Sequence, residues 1–178
     1  LNQDIRLGEI VEKLRKGPQP HLIVCDRTVG GEYENIVTPE KQVPEEPLFI
    51  PWETCTTVGE KFSFHYTDHF KSGRQLVHLL LDIVSKGGNL ALNLAPQPDG
   101  ELPAGAVASL RDMGRWLRMH GEGIYETDII KPYFERNVKY TAKNNIRYAF
   151  YLYDDCVRLP LRVYPVSYTH LRAHETKA

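Results

Sequence analysis

Asp82-Ile83-Val84-Ser85-Lys86-Gly87-Gly88-Asn89-Leu90-Ala91-Leu92-Asn93 carries a helix straight into a strand. Leu76, Val77, Leu79, Leu80, Leu81, Ile83 and Val84 wrap apolar side chains around most of the helix ahead of it, the pattern of a helix buried on more than one side. Ser72 is a good N-cap residue, so the helix is predicted over residues 72–86. Gly87-Gly88 ends it. Leu90, Leu92 and Leu94 then alternate, which predicts a strand over residues 89–94 with one apolar face. A helix feeding such a strand is half of a parallel β/α unit.

The unit repeats on either side. Residues 4–16 read as an amphipathic helix with Leu7, Ile10, Val11 and Leu14 on its apolar stripe, stopped by Gly17-Pro18. Residues 21–25 form a short apolar run, read as a buried strand with Cys25 in the core. A loop over residues 26–47 follows, longer than the usual ~12–15 residues and so of functional interest. Residues 48–53 are the next predicted strand. Downstream, Pro96-Gln97-Pro98-Asp99-Gly100 is a turn, and residues 104–119 form a helix with Val107, Leu110, Gly114 and Leu117 at helical spacing. After Gly121-Glu122-Gly123 the period changes. Residues 138–141 and 146–153 read as strands joined at Lys143-Asn144-Asn145, the start of an antiparallel module. The fold class is therefore α/β, with parallel units first and antiparallel strands after.

Composition narrows the function. Among 178 residues, 22 are Lys or Arg and 23 Asp or Glu, and the net charge of −1 offers no basic footprint for nucleic acid. No run approaches the roughly 18 apolar residues of a membrane-spanning helix. The three cysteines, Cys25, Cys55 and Cys156, are odd in number and lack a CxxC pair, which argues against a disulfide framework or a zinc ribbon.

Polar and aromatic residues gather on the loops that follow the strand-like runs. Asp26-Arg27-Thr28-Val29-Gly30-Gly31 comes after one run, Thr38-Pro39-Glu40 lies in the long loop, and Trp52-Glu53 closes the next run. A lone Glu in a polar loop is ordinarily just solvated. Arg27 can pair with Asp26 or Glu53, or hold a sugar oxygen in its fixed fork. A lone Trp52 is more often core than platform. Gly30-Gly31 is no phosphate loop, since no Gly-Lys-Ser/Thr follows. His65 and His69 are four apart but lack the glutamate of a zinc-protease motif.

Taken in order, Asp26-Arg27-Thr28-Val29-Gly30-Gly31, Tyr33-Glu34-Asn35, Thr38-Pro39-Glu40, Pro51-Trp52-Glu53-Thr54-Cys55, the 82–93 stretch, Asp99-Gly100 and Gly121-Glu122-Gly123-Ile124-Tyr125 resemble the α-L-fucosidases of glycoside hydrolase family 29. The likeness covers residues 2–127. It implies the later strands of a (β/α)8-like (TIM) barrel over residues 1–127, followed over residues 128–164 by the beginning of a C-terminal β-sandwich. It implies a retaining exo-glycosidase that removes terminal α-L-fucose from glycans through a covalent intermediate, without cofactors. Such enzymes use two carboxyl groups about 5–5.5 Å apart. By motif position, Glu40 matches the general acid/base, with Glu34 in reserve. Arg27 matches an arginine that contacts fucose, Phe62 an aromatic residue against the fucose methyl group, and Trp52 lies in a family motif. The partners implied are fucosylated oligosaccharides or glycoconjugates, in a secreted or periplasmic setting.

The motif that carries the family's aspartate nucleophile belongs to an earlier strand and does not occur in this chain. The resemblance thus implies a catalytic piece, inactive alone, whose open sheet edges make it prone to aggregate. Two other classes compete: a carbohydrate-binding module using Trp52, Phe62 and Tyr66, and a fucosidase-like protein without activity. Finally, residues 165–178 read as a translated sequencing adapter, with a natural disordered tail as the alternative.

Overall fold

A computed structural model of the chain describes residues 5–25, 32–152 and the backbone of 170–175. Helix α1 (Leu7–Arg15) opens it. Strand β1 (Trp52–Thr57), helix α2 (Gly73–Ser85), strand β2 (Gly88–Asn93) and helix α3 (Ala104–His120) follow. Strands β3 (Phe134–Glu135), β4 (Val138–Lys143), β5 (Ile146–Tyr151) and β6 (His170–Glu175) make a second sheet.

The opening stretch folds as read. Ser72 caps α2: its hydroxyl accepts from the Gln75 N–H while the Gln75 side chain accepts from the Ser72 N–H. Ser72→Ala is expected to lower the unfolding free energy by about 1 kcal/mol, measurable by urea denaturation. Gly87, at φ 81°, takes the left-handed conformation that ends the helix without a Cβ clash. Strand β2 then runs parallel to β1 in register from Trp52 opposite Gly88 to Thr57 opposite Asn93.

Leu90, Leu92 and Leu94 pack on a core built from Leu76, Val77, Leu80 and Leu81 of α2 and Met113 and Trp116 of α3. The fully buried residues of α3 are Ala106, Met113 and Trp116, and Leu110 and Leu117 of the predicted line pack against the same core, partly buried. Trp116 and Met113 offer more apolar surface and take the inward positions, with Trp116 5.9 Å from the Phe150 ring of β5.

Three predictions near the N-terminus need correction. The strand over residues 21–25 reduces to a single parallel bridge between Cys25 and Ile36. The Asn35 side chain takes the Val24 N–H (3.1 Å) and the Arg15 guanidinium (2.6 Å), replacing a ladder with side-chain bonds. Cys25 is exposed, not core, since among the described residues its strand pairing is limited to that bridge to Ile36. The strand expected at 48–53 instead begins at Trp52 and runs to Thr57. Pro51 brings no N–H to a ladder, whereas Thr54, Thr56 and Thr57 are β-branched and suit a strand despite their polarity.

The antiparallel module forms where the period changed. Strands β4 and β5 pair from Val138–Tyr151 to Lys143–Ile146. Asn144 sits at φ 55° in the tight turn between them, a position that asparagine tolerates. The module is pinned to α2 through Asp82, whose carboxylate takes Lys86 Nζ at 3.2 Å and also Lys139 Nζ of β4. The Phe134 ring lies beside both ammonium groups, 5.4 Å from Lys86 and 4.7 Å from Lys139. Strand β6 pairs in parallel with β5. His170 and His174 both lie on it. The rest of the 165–178 tail lies outside the described residues.

Candidate functional site

Residues 36–40 run alongside β1 as a third parallel segment, with Val37 bridging Trp52 and Glu40 bridging Cys55. The Glu53 N–H donates to the Val37 carbonyl at 3.0 Å and the Lys41 N–H to the Cys55 carbonyl at 2.9 Å. Thr54 Oγ1 adds a bond of 2.7 Å to the Pro39 carbonyl. Proline and glutamate in a loop gave no strand signal, so this segment is recruited by its neighbour rather than by its own propensity.

The register decides where Glu40 points. Paired residues on adjacent strands share a face of the sheet. Glu40 therefore lies on the face of Cys55, which in turn pairs with Ala91. Helices α2 and α3 cover the opposite face, through Leu90 and Leu92. Glu40 is exposed on the side away from the helices, together with half-buried Glu53, Ala91 and Asn93.

Lys41 joins two of the residues singled out by sequence. It is held at φ 55°, a left-handed conformation that costs a non-glycine residue about 1–2 kcal/mol. Its ammonium donates to the Glu60 carbonyl at 2.9 Å and stands 4.6 Å from the centre of the Phe62 ring. Phe62 is exposed, and its carbonyl accepts from Asn93 Nδ2 at 3.0 Å. Glu40 and Phe62 are thus brought to one end of the parallel sheet. Lys41 and Asn93 escaped the sequence reading, because neither a loop lysine nor a strand-end asparagine carries a pattern of its own.

The loop bearing Phe62 is fastened at both ends. Asp68 Oδ1 accepts from the Glu60 N–H at 2.8 Å and the His69 N–H at 2.9 Å. The Glu60 bond, above all, holds the Asp68 carboxyl below the usual carboxylate range. Lys71 Nζ donates to the Thr57 carbonyl at 2.7 Å and the Gly59 carbonyl at 3.1 Å. Burial pushes the Lys71 ammonium down from its ordinary value, and the nearby Lys41 charge acts the same way. His65 turns its Nδ1 to Thr67 Oγ1 at 3.0 Å, so its spacing from His69 reflects loop structure.

Trp52 lies in the core of the parallel sheet. It is 0% exposed, and its indole N–H donates to the Lys86 carbonyl at 3.2 Å. A Cβ on Gly88 would stand 2.3 Å from its ring, so the glycine of the opening stretch exists to admit it. Glu34 is half-buried at the far end of the 36–40 segment, by the Cys25–Ile36 bridge. Arg27 lies outside the described residues.

A parallel sheet with an exposed carboxylate and an aromatic ring at one end sits well with the motifs read from the sequence. The sequence model of the alpha-L-fucosidase family matches residues 1–122. The chain belongs to the alpha-L-fucosidase family. It is 38% identical over 137 residues to the plasma alpha-L-fucosidase of Rattus norvegicus, a match covering 69% of this chain and 28% of that protein. Its fold superposes on alpha-L-fucosidase isoenzyme 1 from Paenibacillus thiaminolyticus with a TM-score of 0.70 and 29% identity, covering 77% of this chain and 36% of that one. The Thermotoga maritima alpha-fucosidase in complex with fucose gives 0.63 and 30% identity, covering 79% and 33%. The chain thus spans about a third or less of the length of these alpha-L-fucosidases.

Proposed function

We propose that this chain is the later part of the catalytic domain of a retaining exo-α-L-fucosidase, followed by the start of a β-sandwich. One observation carries the reading: Glu40 stands on the helix-free face of a parallel sheet, and the ammonium of Lys41, the next residue, lies 4.6 Å from the Phe62 ring. In a (β/α)8 barrel that face lines the interior, and chemistry occurs where the strands end. The 36–40 segment, β1 and β2 lie side by side in chain order, as consecutive barrel strands do.

Glu40 protonates the departing glycosidic oxygen while an aspartate from the remainder of the enzyme attacks the anomeric carbon. The bond to the leaving sugar breaks and a fucosyl-enzyme ester forms. Glu40, now a carboxylate, takes a proton from water, and that water displaces the aspartate. Phe62 offers an apolar surface to the fucose methyl group. The bound fucose of the Thermotoga relative supports this substrate class. With one carboxylate of the pair, the isolated chain is inactive.

Two displacements retain configuration. The full-length parent is expected to release α-L-fucose first, seen as the α-anomer signal in NMR spectra before mutarotation, while the isolated chain releases none. A β-anomer as first product sinks the retaining mechanism, and no fucose release sinks the assignment.

A further inference from the structure

Tyr66 was singled out in the sequence, yet the proposed chemistry makes no use of it. The residue is 85% exposed. An exposed tyrosine by itself is ordinary, but this one is held out on a braced loop. Its ring sits 4.9 Å from that of Phe64 at 77°, an edge-to-face contact that favours this orientation. Phe64 is anchored in turn, lining a small cavity with His65, Asp68 and Asn93. Asp68 ties the loop to its own backbone, and Asn93 and Lys41 tie it to the candidate site through the Phe62 and Glu60 carbonyls. Tyr66 therefore presents a solvated aromatic surface on the same braced loop as Phe62.

We propose that Tyr66 is the platform for the sugar that carries the fucose, making the Gly59–Asp68 turn a determinant of which fucosides are cleaved. This rests on the fucosidase reading and deepens it. Pyranose rings have one face of C–H groups, which packs on the electron-rich face of an aromatic ring. Tyrosine gives such contact with few rotamers to freeze. With Phe62 assigned to the fucose, the sugar that fucose leaves behind is the next group to meet this loop, and Tyr66 stands four residues on from Phe62. The position is a specificity contact; no proton or bond change occurs at Tyr66.

The test uses the full-length parent and two substrates. One is a fucosyl oligosaccharide. The other is α-L-fucosyl fluoride, which has no sugar beyond the fucose. Tyr66→Ala is expected to lower kcat/KM about tenfold on the oligosaccharide and leave the fluoride within twofold. Tyr66→Phe should keep the oligosaccharide rate, because it keeps the ring. An unchanged oligosaccharide rate in the alanine variant overturns the proposal. So does an equal fall on both substrates, which would mean that Tyr66 packs against the remainder of the enzyme, and so does an equal loss in the phenylalanine variant. If the unaltered parent cleaves neither substrate, the fucosidase reading itself has failed and this inference falls with it.

Discussion

Glu40→Gln in the full-length parent is expected to cut kcat/KM on a fucosyl oligosaccharide by about 10²–10⁴-fold, the usual worth of a positioned acid. The reasoning starts with the leaving group. A sugar alkoxide is strongly basic and must be protonated as it departs. Glutamine keeps the size and hydrogen bonding of glutamate but has no proton of that acidity to give. A nitrophenolate leaves without help, so kcat/KM on the aryl fucoside should fall far less. Its second step still lacks a base, so the fucosyl-enzyme should accumulate and appear as a burst followed by a slow steady rate. Equal losses on both substrates would remove Glu40 from the acid role. Glu34→Gln then becomes the next variant to assay. Glu34 sits at the other end of the 36–40 segment, so the register of the Glu40–Cys55 bridge is what ranks the two glutamates.

That register was not legible in the sequence. The α2–β2 unit was, because local signals agree there: a capping serine, a dense apolar helix, two glycines and an alternating strand. The β4–β5 hairpin was legible for the same reason. Residues 36–40 carry no such agreement. They join the sheet because β1 offers an unpaired edge, a tertiary cause that no window of sequence contains. Strand β1 itself was misplaced because its threonines look like loop and Leu48 looks like strand. Glu40 and Phe62 were found by motif resemblance, whereas Lys41, which connects them, is visible only in space. Trp52 shows the limit from the other side. Its motif context pointed to the substrate, and burial points to the core.

Trp52→Ala separates those two meanings of the residue and should have the largest effect on stability. Removing a fully buried tryptophan costs about 3–5 kcal/mol from lost burial and the cavity left behind. Here the site is poorly placed to collapse. Gly88 brings no side chain to fill the space, and the strand register fixes the two backbones. The Lys86 carbonyl also loses its indole donor. That carbonyl ends α2, and the Lys86 side chain pairs with Asp82, so loosening here reaches the latch to β4. In the full-length parent the expected outcome is a large fall in the urea midpoint, with KM for a fucoside unchanged in whatever protein remains folded. Trp52→Phe keeps most of the volume but not the N–H donor, and should cost about 1–3 kcal/mol, the penalty for a buried acceptor left without its partner. It therefore folds where the alanine variant does not. A sugar platform predicts the reverse pattern: a raised KM in both variants with stability intact. That result would mean the face of β1 seen here is rearranged in the whole enzyme, and the placement of Glu40, argued from the same strand, would have to be revised with it.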